Sequence, residues 1–416
     1  MKNVSKPNGK WTVMVYMVAD TGDSFYQAAM KNITEMAEAR FDDRIRVVVH
    51  ADAPSPWRTK CWEVKGASGG KKGEATEISC GRSCLLDFVE KCMNSYESDH
   101  YLLVLWGHGE GIDWKKKVLG KRETMDSIIG VGKRFAPGSA GVMEVGELGK
   151  ALKELHLKED IKDNVLLGFD ACLMGMVEVY YEIREYVGWA VAANDEIPDT
   201  GWPYKDILSQ LGNDPEIRPE TLAGNIVEEC KNWYSHYSPG SKVSFSACNL
   251  ATSDALSSAA KKLTNELRKR IKEDSVRNAI GEARDFAEDL REEAYVDLNA
   301  FCSELKRQAD KSKQQAKPMG NGPKPHQLGD AAASGIQDAA NNVIKALKGF
   351  AFKHGLSDEY PYKYWEHSRA VSICFPKSAD LTGSVPGIAV DWTSYEHLDF
   401  SKATEWPDLM KEFWDR

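Results

Sequence analysis

The chain has 416 residues, 42% of them hydrophobic and 28% charged, with a formal net charge of −9. That length is enough for a large buried core and predicts two domains, or one large domain with an appendage. The acidic balance argues against a nucleic-acid partner and favours cationic ligands, and no apolar run approaches the roughly eighteen residues of a membrane helix. The start, MKNVSKPNGKW, shows no signal peptide, which predicts a secreted or periplasmic protein if a leader was removed and a cytoplasmic one otherwise. Nine cysteines, odd in number and scattered, complete no zinc pattern and are expected to be mostly reduced and buried.

Residues 11–20 (WTVMVYMVAD) read as an apolar, β-branched first strand. Thr21, Gly22 and Asp23 are placed to cap a helix running to about Arg40, with apolar positions at Phe25, Ala28, Met30, Ile33, Met36 and Ala37. Residues 44–53 read as a second strand, with His50 as a core or rim histidine, and residues 57–66 as part of a hairpin. Residues 79–96 form an amphipathic helix that puts Cys80 and Cys84 on one face. Residues 101–111 (YLLVLWGHGEG) then form a strand closing on His108 between glycines. The strand–helix–strand alternation predicts an α/β fold with a mostly parallel sheet flanked by helices.

From 112 to 141 the pattern breaks into a loop with seven basic residues, Lys115, Lys116, Lys117, Lys121, Arg122, Lys133 and Arg134. A segment of this length inside a compact domain is functional or unstructured, or else a solvated hairpin. Helical periodicity resumes over 145–157, and residues 164–174 (NVLLGFDACLM) read as a buried strand ending in Asp170, Ala171 and Cys172. A helix over 177–186 follows, then a strand over 189–197 ending in Asn194, Asp195 and Glu196, and the turn PDTGWPY over 198–204. A helix over 219–234, a strand over 243–250, a largely helical and charged stretch over 251–305, a loop over 311–329, a helix over 330–347 and a strand over 370–376 complete the pattern. The aromatic tail (Trp392, Tyr395, Trp406, Phe413, Trp414) is expected to dock on the body. The predicted organisation is a catalytic domain over 1–250 and a helical C-terminal region over 251–416 whose additional strands pack on it.

Thiol chemistry needs a cysteine, a base to take its proton, and donors for the oxyanion. Two strands ending in His108 and Cys172 can bring the pair together, because open α/β sheets gather their chemistry at the C-terminal strand edge. The backbone N–H groups of Gly109 and Cys172 are suited to an oxyanion hole. Asp170, on the same rim, is suited to receiving a cationic side chain or orienting a turn. A core strand with a structural cysteine is the plain alternative.

In WTVMVYMVAD, YLLVLWGHGEG, LLGFDACLMGMVEV and ANDEIPDTGWPY, and more weakly in YVDLNAFCSEL, SICFP and YEHLDFSKATEW, the sequence resembles the clostripain family of cysteine peptidases. These belong to a caspase-like clan that also holds gingipains, legumains and separase. The resemblance implies a caspase-like sheet, His108 as general base, Cys172 as nucleophile, and Asp170 lining a pocket for Arg or Lys. Family members often carry a Gly-Asp-Gly-Trp turn whose Asp helps bind the basic side chain. Here the turn reads Asp199-Thr200-Gly201-Trp202, so Asp199 or Asp195, with Thr200, is the substitute expected at the substrate.

The resemblance also implies maturation by cleavage between the two catalytic strands, with Lys121-Arg122 and Lys133-Arg134 as the expected sites. A monomer or a self-cleaved two-fragment chain acting on peptide or protein substrates would result. No cofactor is required for such chemistry; some members need calcium, but no EF-hand pattern is present and any calcium site would use scattered carboxylates. Another thiol acyl-transfer enzyme (an amidase or peptide ligase) and a non-catalytic caspase-like binding protein remain open alternatives.

Overall fold

The computed structural model describes residues 9–54, 58–79, 84–109, 111–112, 115–117, 145–155, 159–238, 240–287, 290, 294–315, 328–359, 366–377, 388–390 and 392–415. Its strands are β1 (Gly9–Met17), β2 (Ile45–Ala51), β3 (Lys60–Lys65), β4 (Glu74–Ile78), β5 (Ser98–Trp106), β6 (Lys115–Lys117), β7 (Val165–Asp170), β8 (Trp189–Ala193), β9 (Ser244–Asn249), β10 (Tyr295–Asp297), β11 (Ala351–Leu356), β12 (Ser372–Cys374) and β13 (Ile388–Val390). The main helices are α1 (Asp23–Glu38), α2 (Leu85–Ser95), α3 (Val145–Glu154), α4 (Val177–Ile183), α5 (Tyr204–Asn213), α6 (Pro219–Tyr237), α7 (Ser253–Arg268), α8 (Asp274–Ala287), α9 (Leu298–Gln315) and α10 (Asp330–Phe350).

Nine strands form one sheet in the order β11-β9-β8-β7-β5-β1-β2-β3-β4. Strands β8, β7, β5, β1 and β2 run parallel, while β3 and β4 extend one end and β9 and β11 the other in antiparallel fashion. Side chains alternate across a strand, and both faces of β1 are buried. Trp11, Val13, Val15 and Met17 join one apolar cluster with α1, α5 and α6, while Met14 and Tyr16 join a second on the opposite face. Burial on both faces is why the central strands read as unbroken apolar runs. The second cluster continues from Leu103 and Phe169 through α7, α9 and α10 to Trp406 and Leu409.

Several local expectations change in the folded chain. The helix expected over 79–96 begins at Leu85, and Cys84 is its cap, accepting the Asp87 N–H at 3.4 Å. Cys61 is disulfide-bonded, whereas Cys84, Cys92, Cys172, Cys230, Cys248, Cys302 and Cys374 are free, in keeping with the expectation that most of the cysteines are reduced. Lys115–Lys117, expected within a loop, pair as β6 with β13. The segment expected as a loop from 311 is helical to Gln315, consistent with its Lys and Gln being good helix formers. Residues 351–356 form an unforeseen edge strand on β9: AFKHGL lacks an apolar run because only part of it is buried. Among the described residues no helix is long and apolar enough to cross a membrane. Lys121, Arg122, Lys133 and Arg134 lie outside the described residues.

Candidate active site

Strands β5 and β7 pair in parallel from Tyr101↔Val165 to Trp106↔Asp170, and the Gly107 N–H donates to the Asp170 carbonyl at 3.2 Å. Beyond this ladder β5 runs on into Gly107, His108 and Gly109 and β7 into Ala171 and Cys172, so His108 and Cys172 each follow the ends of neighbouring strands by two residues. A Cβ on Gly109 would lie 2.1 Å from the Cys172 carbonyl oxygen and 3.0 Å from its nitrogen. Only glycine lets the two segments approach this closely.

The His108 ring lies flat on Phe25, with centroids 4.2 Å apart and planes 6° from parallel. Its Nε2 is 3.3 Å from Thr21 Oγ1. Thr21 does not cap α1 as expected: the N-cap is Gly22, and no side chain bonds there.

Cys172 is partly buried and touches both apolar clusters. Its sulfur receives the Ile197 N–H at 3.3 Å, and the thiol can donate to the Ile197 carbonyl at 3.5 Å. Burial pushes the thiol up to about 11; the Ile197 N–H pulls the other way, and the carboxylates Glu196, Asp199 and Asp170 add to the rise. The resting sulfur is therefore a protonated thiol at neutral pH. The next residue, Leu173, is in the left-handed region with φ 62, a conformation that costs a branched residue roughly 1–2 kcal/mol. Hydrogen bonds hold it there: Leu173 N–H to Asp195 O at 3.1 Å, Gly175 N–H to Ala193 O at 2.6 Å, and Ser372 N–H of β12 to Gly175 O at 2.9 Å. The buried Glu178 carboxylate, one turn on, binds the Cys374 N–H and the Tyr395 hydroxyl, both at 2.9 Å, fastening the C-terminal region to this loop.

Asp170 is 3% exposed. Its Oδ2 accepts from the Trp202 N–H at 3.0 Å and the Tyr204 hydroxyl at 2.8 Å, while Oδ1 has no partner among the described residues. Burial pushes this carboxyl up to about 7, opposed by those two donors. Asp195 is buried, with Oδ1 receiving the Glu196 N–H at 2.8 Å. Asp199 is exposed at the rim.

Asn32, which sequence reasoning passed over, ties this corner together. Buried on α1, it donates to the Thr200 carbonyl at 2.9 Å and accepts from Trp106 Nε1 at 3.0 Å. Its signal was available: Phe25, Ala29, Asn32, Ile33 and Met36 share the buried stripe of α1, and a polar residue on such a stripe needs partners. Gly201, at φ +68, permits the tight turn, since a Cβ there would lie 2.8 Å from both Asn32 Oδ1 and Asp170 Oδ2. Among the described residues no group of three or more His, Cys, Asp or Glu side chains is arranged to hold a metal ion.

The family model for the clostripain family, peptidases of type C11, matches residues 15–414. The chain belongs to the clostripain family. It is 30% identical over 132 residues to clostripain from Hathewaya histolytica, a match covering 30% of this chain and 23% of that protein. Two solved structures share the fold. An inactive zymogen C11 protease from Parabacteroides distasonis has a TM-score of 0.60 at 16% identity, covering 95% of this chain and 98% of that one. A secreted C11 cysteine protease from Bacteroides thetaiotaomicron, solved with an irreversible peptide inhibitor, has 0.61 at 18%, covering 96% and 99%. In this clostripain-family chain the turn after β8 carries Thr200 between Asp199 and Gly201.

Proposed function

We propose that this chain is a cysteine endopeptidase cleaving after Arg or Lys, with Cys172 as nucleophile and His108 as general base. The observation that supports the reading is the parallel pairing of β5 and β7 up to Trp106↔Asp170, after which His108 and Cys172 follow two residues on from neighbouring strand ends. The thiol, pushed up to about 11, is not a standing thiolate, so proton transfer accompanies attack. As the scissile carbonyl arrives, the imidazole takes the Sγ proton and sulfur bonds to the carbonyl carbon. The N–H groups of Gly109 and Cys172 receive the oxyanion. The imidazolium then protonates the leaving amine, and water hydrolyses the thioester with the imidazole again as base. Thiol–imidazole chemistry needs no cofactor.

Basic specificity is supported by charge. Asp170 Oδ1 is buried without a partner among the described residues, which suits a guanidinium or ammonium. Glu196, Asp199 and Asp170 all raise the thiol's pKa, and a bound cation would offset them, coupling recognition to activation. Asp195, whose carboxylate is committed to Glu196, shapes the loop, and Asp199 with Thr200 forms the rim. The same specificity makes Lys121-Arg122 and Lys133-Arg134 sites of self-processing.

The test is hydrolysis of fluorogenic arginyl and lysyl peptide amides by wild type and Cys172→Ala, with and without iodoacetamide. Wild type should cleave both, while alkylation and the Cys172→Ala change should each abolish turnover and leave the melting temperature nearly unchanged. Full activity in Cys172→Ala would remove the nucleophile assignment.

A further inference from the structure

We propose that Thr21 is a positioning residue of the site: its hydroxyl holds His108 Nε2 and thereby reserves Nδ1 for the Cys172 thiol. This rests on the reading of Cys172 and His108 as nucleophile and base. Strand β1 lies directly beside β5, paired up to Met17↔Trp106, so the residues following the two strands emerge side by side. Thr21 sits in the connection to α1, yet the helix does not use its hydroxyl, because Gly22 is the N-cap and no side chain bonds there. The hydroxyl instead stands 3.3 Å from His108 Nε2.

Phe25 fixes the plane of the imidazole by lying flat against it, 4.2 Å away and 6° from parallel. Within that plane the ring has two orientations, related by a half-turn about the Cβ–Cγ bond. The half-turn exchanges Nδ1 with Cδ2 and Nε2 with Cε1. In one orientation Thr21 meets Nε2; in the other it meets a carbon and the hydrogen bond is lost. Thr21 therefore selects the orientation, and in the tautomer where its oxygen accepts from Nε2–H the Nδ1 lone pair is free. When the Sγ proton moves to Nδ1, the imidazolium still donates Nε2–H to the same oxygen, so the contact persists through the step.

Because Thr21 is exposed, water partly replaces a lost hydroxyl, and the effect is that of one neutral hydrogen bond. The experiment compares wild type, Thr21→Val and Thr21→Ser in the full chain with an arginyl peptide amide. Thr21→Val, which keeps the shape and loses the hydroxyl, should lower kcat about 3- to 10-fold with KM and melting temperature unchanged. Thr21→Ser should restore kcat. An unchanged kcat in Thr21→Val overturns the proposal, as does an equal loss in both variants or a loss matched by a fall in melting temperature. Wild type without thiol-dependent hydrolysis would instead remove the reading beneath it, so the two failures are distinguishable.

Discussion

Oδ1 of Asp170, unpartnered among the described residues, sits where a carboxyl's protonation decides what it can bind. The other oxygen is committed to the Trp202 N–H and the Tyr204 hydroxyl, and burial pushes the group up to about 7. Below that value the free site is largely a neutral acid, a poor partner for a cation; above it the site carries a charge. The direction follows: discrimination between basic and neutral substrates, read as the ratio of their kcat/KM values, should rise as pH increases through about 7. The ratio cancels any pH dependence that both substrates share. Asp170→Asn should flatten that rise and cost basic substrates about 1.5–3 kcal/mol in transition-state binding, the scale of a charged hydrogen bond. Equal losses for basic and neutral substrates would make Asp170 a support for the 200–204 turn instead.

At the scale of elements, the approach of the segments leaving β5 and β7 depends on Gly109, where an added Cβ would sit 2.1 Å from backbone. Gly109→Ala must therefore push His108 away from Cys172, and a displacement of about 1 Å costs on the order of 100-fold in rate. Gly349→Ala, on α10 with nothing within 4 Å of its added Cβ, should leave kcat unchanged; comparable activity in both variants would show that the approach does not matter. These two strands were legible because both their faces are buried, which writes an apolar run ending in small and reactive residues. Cys172 and His108 are the residues that close those two runs. Strand β11 could not, because an edge strand continuing directly from α10 has neither an apolar run nor a turn before it. Thr21 was misread because a threonine and an aspartate before an amphipathic stretch look like a cap, and sequence spacing carries no trace of a partner 87 positions away. Asn32 was passed over for a related reason: its partners, Trp106 and Thr200, come from two other elements.

For the whole molecule, the question is what a cut between His108 and Cys172 would leave behind. Strands β1 to β5 come from one side of such a cut and β7 to β9 and β11 from the other, yet they form one sheet with β5 against β7 at its centre. The apolar cluster holding Leu103 and Leu105 also holds Leu167 and Phe169. The C-terminal region adds two ties to the segment just after His108: β13 pairs with β6, and the Tyr295 hydroxyl donates to the Ile112 carbonyl at 2.8 Å. Fragments joined through a shared core stay associated without a covalent link, because separating them exposes apolar surface at about 25 cal/mol per Å². If the protein cleaves after Arg or Lys, wild type should run on a denaturing gel as two fragments cut at Lys121-Arg122 or Lys133-Arg134, and in native size exclusion as one species. Cys172→Ala, purified identically, should run as a single intact chain in both. Changing all four basic residues to Gln should keep the chain whole and reveal, by its activity, whether the uncut loop limits access to Cys172. Intact chains for wild type and Cys172→Ala alike, with wild type fully active, would leave those lysines and arginines as a solvated surface rather than a processing site.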